Sequence, residues 1–187
     1  MTKIAIFASH NGSGFDAIYE AIEAKKLNLQ ISFVLSNNTH SKALLNASKR
    51  SLQHFLVNTT THADPDKEIH KLLQKHKCTH IFLSGYMKKL SSLLTNNYTI
   101  FNAHPSLLPR YGGAGMYGRF VHEAVIAAKE SKSGVSIHYV NEVYDDGEII
   151  LQKELILEKK ETVESLEIKI KALEKIAIVE ALQKCLN

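Results

Sequence analysis

The segment of this chain best suited to carry out chemistry is residues 102–109, which reads Asn-Ala-His-Pro-Ser-Leu-Leu-Pro. Asn102 and His104 lie two positions apart after a short apolar run, so on a β-strand their side chains project the same way. In open α/β sheets, ligands bind beyond the carboxyl ends of the strands. An amide and an imidazole at such a place can polarise a carbonyl group and transfer one proton. From the spacing alone, a loop histidine that bonds only to backbone accounts for His104 at least as well.

A carboxylate follows another strand farther along the chain. Residues 134–141 alternate as a strand, and the turn Asp145-Asp146-Gly147 comes shortly afterwards. One face of that strand carries Ser136, His138 and Val140. An aspartate close to His104 would favour the charged imidazolium and orient the ring. The tripeptide is also an ordinary turn signal, so a purely structural role stays open here.

The first turn of the chain has the composition of a phosphate site. Residues 10–14, His-Asn-Gly-Ser-Gly, lie between an apolar run and an amphipathic stretch. Gly12 and Gly14 let backbone N–H groups approach a ligand, and the start of the following helix favours negative charge. The spacing is neither the full dinucleotide fingerprint nor a P-loop. A tight turn with no ligand remains the alternative.

The elements around these residues alternate in the manner of βαβ units, which predicts a parallel sheet. We expect one α/β domain over residues 1–187: a Rossmann-like, mostly parallel twisted sheet with helices on both faces. Strands at 134–141 and 148–157 are predicted to form an antiparallel C-terminal ribbon. The predicted strand at 98–102 is followed by an irregular loop over 103–118, rich in glycine and proline.

Several predicted helices have recognisable ends or faces. Ser41 is the expected cap of a helix over 41–51, and Asp64 with Pro65 predicts a helix start at 65. A long helix over 162–185 is expected to bury an apolar stripe. That stripe consists of Leu166, Ile170, Leu173, Ile176, Ala177 and Leu182.

Composition excludes several classes of function. The net charge is +4 with scattered lysines and no basic stripe, which argues against nucleic acid as a partner. No stretch approaches the ~20 apolar residues of a membrane span. Cys78 and Cys185 form no CxxC pair, so neither a disulfide framework nor a zinc site is expected. A cytoplasmic protein acting on small molecules is the prediction.

Three motifs together, NAHPSLLP, SGVSIHYV and YDDGEIIL, resemble the signature of the folate-dependent formyltransferases. The resemblance covers nearly the whole chain and is greatest to the phosphoribosylglycinamide formyltransferases. It implies that Asn102, His104 and Asp145 are catalytic, with 10-formyltetrahydrofolate as co-substrate and glycinamide ribonucleotide as acceptor. It also implies direct attack through a tetrahedral intermediate in purine biosynthesis, with no metal and no covalent enzyme intermediate.

The same resemblance assigns the substrate contacts. The phosphate and the ribonucleotide are expected at Gly12, Ser13, Gly14, Lys171 and Glu174, although a solvated ion pair remains an alternative for Lys171. The folate is expected at Met87, Lys88, Lys89 and Leu90, and at Asn141, Glu142, Val143 and Tyr144.

The chain departs from the family pattern at five points. Gly14 replaces an asparagine, Lys89 replaces an aliphatic residue and Asp146 replaces a glycine, which sets two carboxylates side by side. The loop 110–118 is longer and richer in glycine than usual and lacks its first histidine, while His122 matches the later one. Substrate contacts across this loop are therefore not predicted.

Rival functions share parts of these motifs. Formyltetrahydrofolate deformylases carry the same trio, usually behind a regulatory domain, and methionyl-tRNA formyltransferases usually add a C-terminal nucleic-acid-binding domain. A non-catalytic folate or nucleotide-binding module belongs to a different class. A nucleotide-binding oxidoreductase fits less well, because the glycine-rich turn is incomplete. Either a monomer or a homodimer is compatible with the sequence.

Overall fold

The first strand is apolar on both sides because the sheet is covered by helices on both faces. The computed structural model describes residues 1–186. In the first strand Ile4 and Ile6 pack into one hydrophobic cluster, whereas Ala5 and Phe7 pack into another. Burial on both faces is typical of parallel α/β sheets. The predicted α/β fold with helices on both faces is confirmed.

The elements in the described chain agree with the predicted ones to within a few residues at each end. The strands are β1 (Thr2–Phe7), β2 (Leu29–Ser36), β3 (His54–Leu56), β4 (His80–Leu83), β5 (Thr99–His104), β6 (Lys132–Tyr139) and β7 (Ile149–Ile156). The helices are α1 (Ser13–Glu23), α2 (Lys42–Lys49), α3 (Pro65–His76), α4 (Ser92–Thr95), α5 (Arg119–Ala127) and α6 (Val163–Leu186).

All seven strands belong to one sheet with the order β3-β2-β1-β4-β5-β6-β7. The strands from β3 to β5 pair in parallel, whereas β6 runs antiparallel to both β5 and β7. The predicted antiparallel ribbon is therefore confirmed. The direction in which the chain fills the sheet reverses between β1 and β4, and the crevice at such a switch point is the usual ligand site of this architecture.

One local expectation is wrong, and another is correct only in part. Ile176 is 52% exposed, although it was expected in the buried stripe of α6. The buried face of α6 contains Ala177 and Ile178. Around the helix, Ile176 lies about 100° from Ala177 and about 200° from Ile178, so its side chain points away from that face. Ser41 occupies the N-cap position of α2 but makes no capping bond, because its hydroxyl donates instead to the carbonyl of His10 at 3.0 Å.

Candidate active site

Pairing between β5 and β6 builds the centre of the site. β5 runs on to His104, farther than predicted, because His104 pairs with Ser136 of β6. In the same register Asn102 lies directly opposite His138. Opposed residues of an antiparallel pair share a face of the sheet. The Asn102 amide and the two imidazoles therefore project to the same side.

The turn after β6 brings Asp145 back onto this face. Asp145 has a φ of 55°, and its Oδ2 lies 3.4 Å from Nδ1 of His104. The N–H of Gly113 donates to the same oxygen at 2.9 Å. Only glycine fits at position 147, since a Cβ there would lie 1.7 Å from the carbonyl oxygen of Tyr139. Two segments far apart along the chain thus meet at one carboxylate.

Both ring nitrogens of the buried His104 face acceptors. Nε2 donates to the carbonyl of Tyr111 at 2.7 Å, and Nδ1 faces Asp145. Burial is the largest influence and lowers the pKa of His104, while the Asp145 charge and the Tyr111 carbonyl raise it by less. The pKa of His104 therefore lies below its ordinary value. Asp145 favours the imidazolium, as expected, but burial disfavours the charge by more.

The two neighbouring carboxylates are in different surroundings. Burial raises the pKa of Asp145, but the His138 contact, the His104 charge and the Gly113 N–H outweigh it and bring the pKa below its ordinary value. The side chain of Asp146 is exposed, and it is not among the groups that shift the pKa of His104. Of these two carboxylates, only Asp145 shifts the pKa of the His104 imidazole.

His138 is the residue that the sequence interpretation missed. It is 1% exposed, and its Nε2 lies 3.1 Å from Nδ2 of Asn102 and 3.6 Å from Oδ1 of Asp145. The alternation of β6 already put it on one face with Ser136. What the alternation did not reveal was that this face looks onto Asn102, since that depends on the register with β5.

The glycine turn presents free backbone donors. Gly12, at a φ of 71°, precedes α1, and a Cβ there would lie 2.8 Å from that of Ala43. The N–H of Phe15 donates to Ser84 Oγ at 3.1 Å, whereas within residues 1–186 no hydrogen bond uses the N–H of Ser13 or Gly14. Two donors at a helix N-terminus suit an anion.

A glycine at position 14 has a packing reason. A Cβ there would lie 2.9 Å from both Phe82 Cε1 and Ser84 Oγ, and 3.1 Å from Ile178 of α6. The space that an asparagine would need is therefore filled. The contact with Ile178 also sets α6 against the start of α1.

Lys171 and Glu174 lie on the same face of α6 as Ile178, at spacings of three to four residues. Lys171 is exposed and pairs with Glu167, not with Glu174. Glu174 is half-buried, and burial raises its pKa to about 7, with a smaller lowering by Lys171. The structure thus places both residues on the helix that passes the glycine turn, without joining them to each other.

His122 lies between α6 and the face of the sheet that carries His104. It is 3% exposed, and its Nδ1 is buried without a hydrogen-bond partner among the described residues. Burial lowers the pKa of His122, and the charges of Glu167 and Lys171 also reach it, as does that of His104. The loop before it is tied down at its start, because Arg110 and the Tyr111 hydroxyl both bond to Glu130.

The two predicted folate segments face each other across one cleft of about 80 Å³. Its walls include Lys88, Lys89 and Leu90 on one side and residues 141–145 on the other, with Asn102 and His138 at the base. Met87 is not on the wall; its N–H donates to Ser9 Oγ at 2.7 Å instead. At the mouth, Lys89 Nζ lies 5.5 Å from the centre of the Tyr144 ring.

A wider groove of about 480 Å³ continues from this cleft past Tyr86, Lys88 and Lys89. Lys67 adds a third cation, and two carboxylates also line the groove. Both are already engaged: Asp64 with Lys67 at 2.9 Å, and Asp66 with the N–H of Ser91 at 2.8 Å. The groove is therefore lined by three lysines, and its two carboxylates already have partners within the protein.

Residues 1–186 contain no metal-binding cluster, no disulfide and no membrane-spanning helix. No group of three or more His, Cys, Asp or Glu side chains there is arranged to hold a metal ion. Cys78 and Cys185 are both free thiols. No helix in that range is both long enough and apolar enough to cross a membrane.

Comparison with known proteins identifies the family of this chain. Residues 2–182 match the model of a family described as formyl transferase. The chain belongs to the formyl transferase family. A phosphoribosylglycinamide formyltransferase of Bacillus subtilis is 30% identical over 179 residues, which cover 93% of this chain and 89% of that relative.

Plant relatives of the same name are longer. The chloroplastic phosphoribosylglycinamide formyltransferase of Vigna unguiculata is 33% identical over 171 residues, covering 88% of this chain and 54% of the relative. For the Arabidopsis thaliana relative the covered share is 58%. The chain thus spans a little over half the length of these plant relatives.

Solved structures of the family superpose closely on this chain. A phosphoribosylglycinamide formyltransferase from Bacillus halodurans gives a TM-score of 0.91 at 29% identity, covering 100% of this chain and 96% of that one. A formyltetrahydrofolate deformylase from Pseudomonas syringae gives 0.86 at 22% identity, covering 97% of this chain and 60% of that one, and shares the fold. The predicted resemblance and fold class are confirmed.

Proposed function

We propose that this chain transfers the formyl group of 10-formyltetrahydrofolate to the amine of glycinamide ribonucleotide in purine biosynthesis. The observation that carries the proposal is the single cleft that both folate segments line and that ends on Asn102 and Asp145. Asp145 in turn lies 3.4 Å from His104. An amide, an imidazole and a carboxylate at the base of a cleft suit the transfer of an acyl group to an amine. The relative from Bacillus subtilis, which is 30% identical, is a phosphoribosylglycinamide formyltransferase.

In this mechanism the substrate amine attacks the formyl carbon, and negative charge develops on the formyl oxygen. An N–H of Asn102 and the Nε2–H of His104 donate to that oxygen. The oxygen replaces the Tyr111 carbonyl as the acceptor of the Nε2–H. The amine loses one proton and the departing folate nitrogen gains one, so His104 and a water need only relay it.

Burial and the Asp145 charge shift the pKa of His104 in opposite directions, and this balance fits the proposed role. Burial keeps the resting ring mostly neutral, whereas Asp145 favours its charged form. The developing oxyanion adds a second negative charge beside the ring and thus favours protonation when the barrier is crossed. Stabilisation that arises only in the transition state accelerates the reaction, whereas equal stabilisation of the bound substrate does not.

The ribonucleotide is proposed to bind along the glycine turn and α6. Its phosphate accepts from the free N–H groups of Ser13 and Gly14, where the dipole of α1 adds to the attraction. Lys171 and Glu174 contact the rest of the nucleotide one to two turns before Ile178. The amine then extends past His122 toward His104. The charges of Lys171 on α6 and of His104 both affect the pKa of His122, so His122 is near both.

The folate ring is proposed to enter between the segments at 88–90 and 141–144. A cleft of about 80 Å³ is well below the roughly 300–1,000 Å³ of small-molecule pockets, so residues 141–144 must move outward. Those four residues are exposed, which makes such a movement inexpensive. The glutamate tail lies in the wider groove, near Lys67, Lys88 and Lys89.

The test follows the loss of formylfolate with and without glycinamide ribonucleotide. We expect consumption only when the ribonucleotide is present. Equal consumption without it would identify a hydrolase, and binding of both ligands without turnover would identify a non-catalytic module. Asn102→Ala, His104→Ala and Asp145→Ala should each lose most turnover, whereas His54→Ala, on the distant strand β3, should not.

Two further expectations accompany the proposal. The partners are small molecules, with no nucleic acid and no metal. The cytoplasmic location and the choice between monomer and homodimer stay predictions, which fractionation of cells and sedimentation of the purified protein would decide.

A further inference from the structure

His138 is the buried group at the site for which the proposed reaction has no role. It lies on β6 directly opposite Asn102 on β5, and its side chain is 1% exposed. A ring buried this completely must satisfy both nitrogens within the protein, since an unpaired buried polar atom costs about 1–3 kcal/mol. Its partners therefore determine its protonation.

The contacts of His138 define a tautomer. Nδ1 lies 2.8 Å from the carbonyl oxygen of Tyr139, and a carbonyl only accepts, so Nδ1 carries a hydrogen. Nε2 lies 3.1 Å from Nδ2 of Asn102, and an amide nitrogen only donates. In a neutral ring the hydrogen is therefore on Nδ1, and the bare Nε2 accepts from Asn102.

This bond removes the two-fold ambiguity of the Asn102 amide. In the reversed orientation the amide oxygen would face the lone pair on Nε2, which is repulsive. In the observed orientation one N–H is held by His138 while the second N–H of the same nitrogen is left for another acceptor. Both side chains line the folate cleft, so that second N–H is available at the place where a formyl oxygen would lie.

Asp145 offers the competing arrangement. Its Oδ1 lies 3.6 Å from the same Nε2, and a protonated His138 would donate to it. That contact is longer than the ~3.2 Å limit of ordinary N–H···O bonds, whereas the contact with Asn102 is within bonding distance. The other titratable group that faces the ring is His104.

We propose that His138 is a positioning residue, whose bare Nε2 holds the Asn102 amide with an N–H directed at the formyl oxygen. The role rests on the proposed function, because it acts through the donor that Asn102 supplies. His138 itself does not touch the reacting atoms. Its place on β6, a strand paired on both sides, makes the amide orientation as rigid as the sheet.

The kinetic test uses two replacements of His138 that differ in one property. His138→Leu removes the acceptor, and His138→Gln keeps one, since the glutamine oxygen can accept from Asn102. We expect His138→Leu to lower kcat roughly 10- to 100-fold, as for a weakened oxyanion donor, with KM values within about twofold. His138→Gln should recover most of that loss.

A double-mutant cycle separates positioning from a general structural role. In an Asn102→Ala background, His138→Leu should lower kcat by less than about twofold, because nothing remains to be positioned. Equal losses for the Leu and Gln variants, or additive losses in the double mutant, would overturn the proposal. Thermal unfolding of each variant identifies any loss that comes from misfolding.

A second measurement does not depend on turnover. Protein labelled with ¹⁵N should show the Nδ1–H tautomer at one of its ten histidines, assigned to His138 through the His138→Gln spectrum. A coupling between Nδ2 of Asn102 and Nε2 of His138 across the hydrogen bond is expected. An Nε2–H or doubly protonated ring at neutral pH would refute the proposal even in an active enzyme. If the wild type shows no formyl transfer while the coupling is present, the proposed function fails and the hydrogen bond stands.

Discussion

The base of the cleft and its mouth are built in opposite ways. At the base, Asn102, His104, His138 and Asp145 contact one another at distances between 3.1 and 3.6 Å and have little access to solvent. At the mouth, residues 141–144 are all exposed, and a single cation–ring contact joins Tyr144 to Lys89. The groups that we propose to be catalytic are therefore held in place by one another, whereas the proposed folate-binding surface has few contacts to restrain it.

This division has a physical reason. Groups that stabilise a transition state must be oriented beforehand, since reorientation during the reaction reduces the electrostatic gain. The proposed folate substrate, however, would have to enter and leave in every cycle, which requires a segment with few contacts. Substitutions in the two regions should therefore differ in size and in the kinetic step that they change.

The largest effect is expected at the base, from Asp145→Asn. The variant keeps the shape of the side chain but removes the charge that offsets the burial of a protonated His104. We expect kcat to fall by roughly 10²- to 10³-fold with both substrates saturating. Asp146→Asn is the matched control, because that neighbouring carboxylate is exposed, and its kcat should stay within about twofold. Similar losses in the two variants would mean that the buried and exposed carboxylates are not distinct.

A carboxyl on the substrate side of α6 should make stability depend on pH. The folded-state pKa of Glu174 is raised to about 7, so the protein binds a proton there more tightly than the unfolded chain does. Its contribution to the free energy of unfolding therefore falls as pH rises from about 4.5 to 7. Glu174→Gln removes the carboxyl, and the variant should exceed the wild type by about 2–3 kcal/mol at pH 8 and by much less at pH 5.

Urea unfolding at the two pH values measures this difference. Glu180→Gln is the matched control for the loss of a carboxyl from an exposed position on the same helix, where Glu180 pairs with Lys153 at 2.8 Å. A constant difference between Glu174→Gln and the wild type across this range would contradict the raised pKa.

The smallest effect is expected at the mouth, from Lys89→Ile. An exposed cation–ring contact is worth about 0.5–1 kcal/mol, so its loss should speed the association of a tetrahydropterin that lacks the glutamate tail by about two- to fivefold. Stopped-flow absorbance measures the rate, and kcat should not change. Lys88→Ile is the matched control, because Lys88 lines the same cleft but makes no ring contact among the described residues. An unchanged or slower association in Lys89→Ile would show that the contact does not close the cleft.

Much of the fold could be predicted because its signals are local. Apolar runs bounded by turn residues indicated the strands, and Asp64 with Pro65 marked the start of α3. The prediction for α6 was less accurate at Ile176, because a helix rich in apolar residues on several sides does not reveal from sequence which side meets the sheet. The end of β5 was placed too early, since Pro105 signals irregular structure while pairing with β6 extends the strand to His104.

The features of the candidate site likewise divide into those that the sequence predicts and those that it does not. The sequence by itself determined the alternation of strands and helices along the chain and the glycine turn before α1, and its motifs named the candidate amide, imidazole and carboxylate. Only the tertiary structure decided that His138 faces Asn102, that burial outweighs Asp145 at His104, and that Asp146 points to solvent. These depend on strand register and on which atoms exclude water, and both arise from contacts between distant segments, which no local pattern encodes.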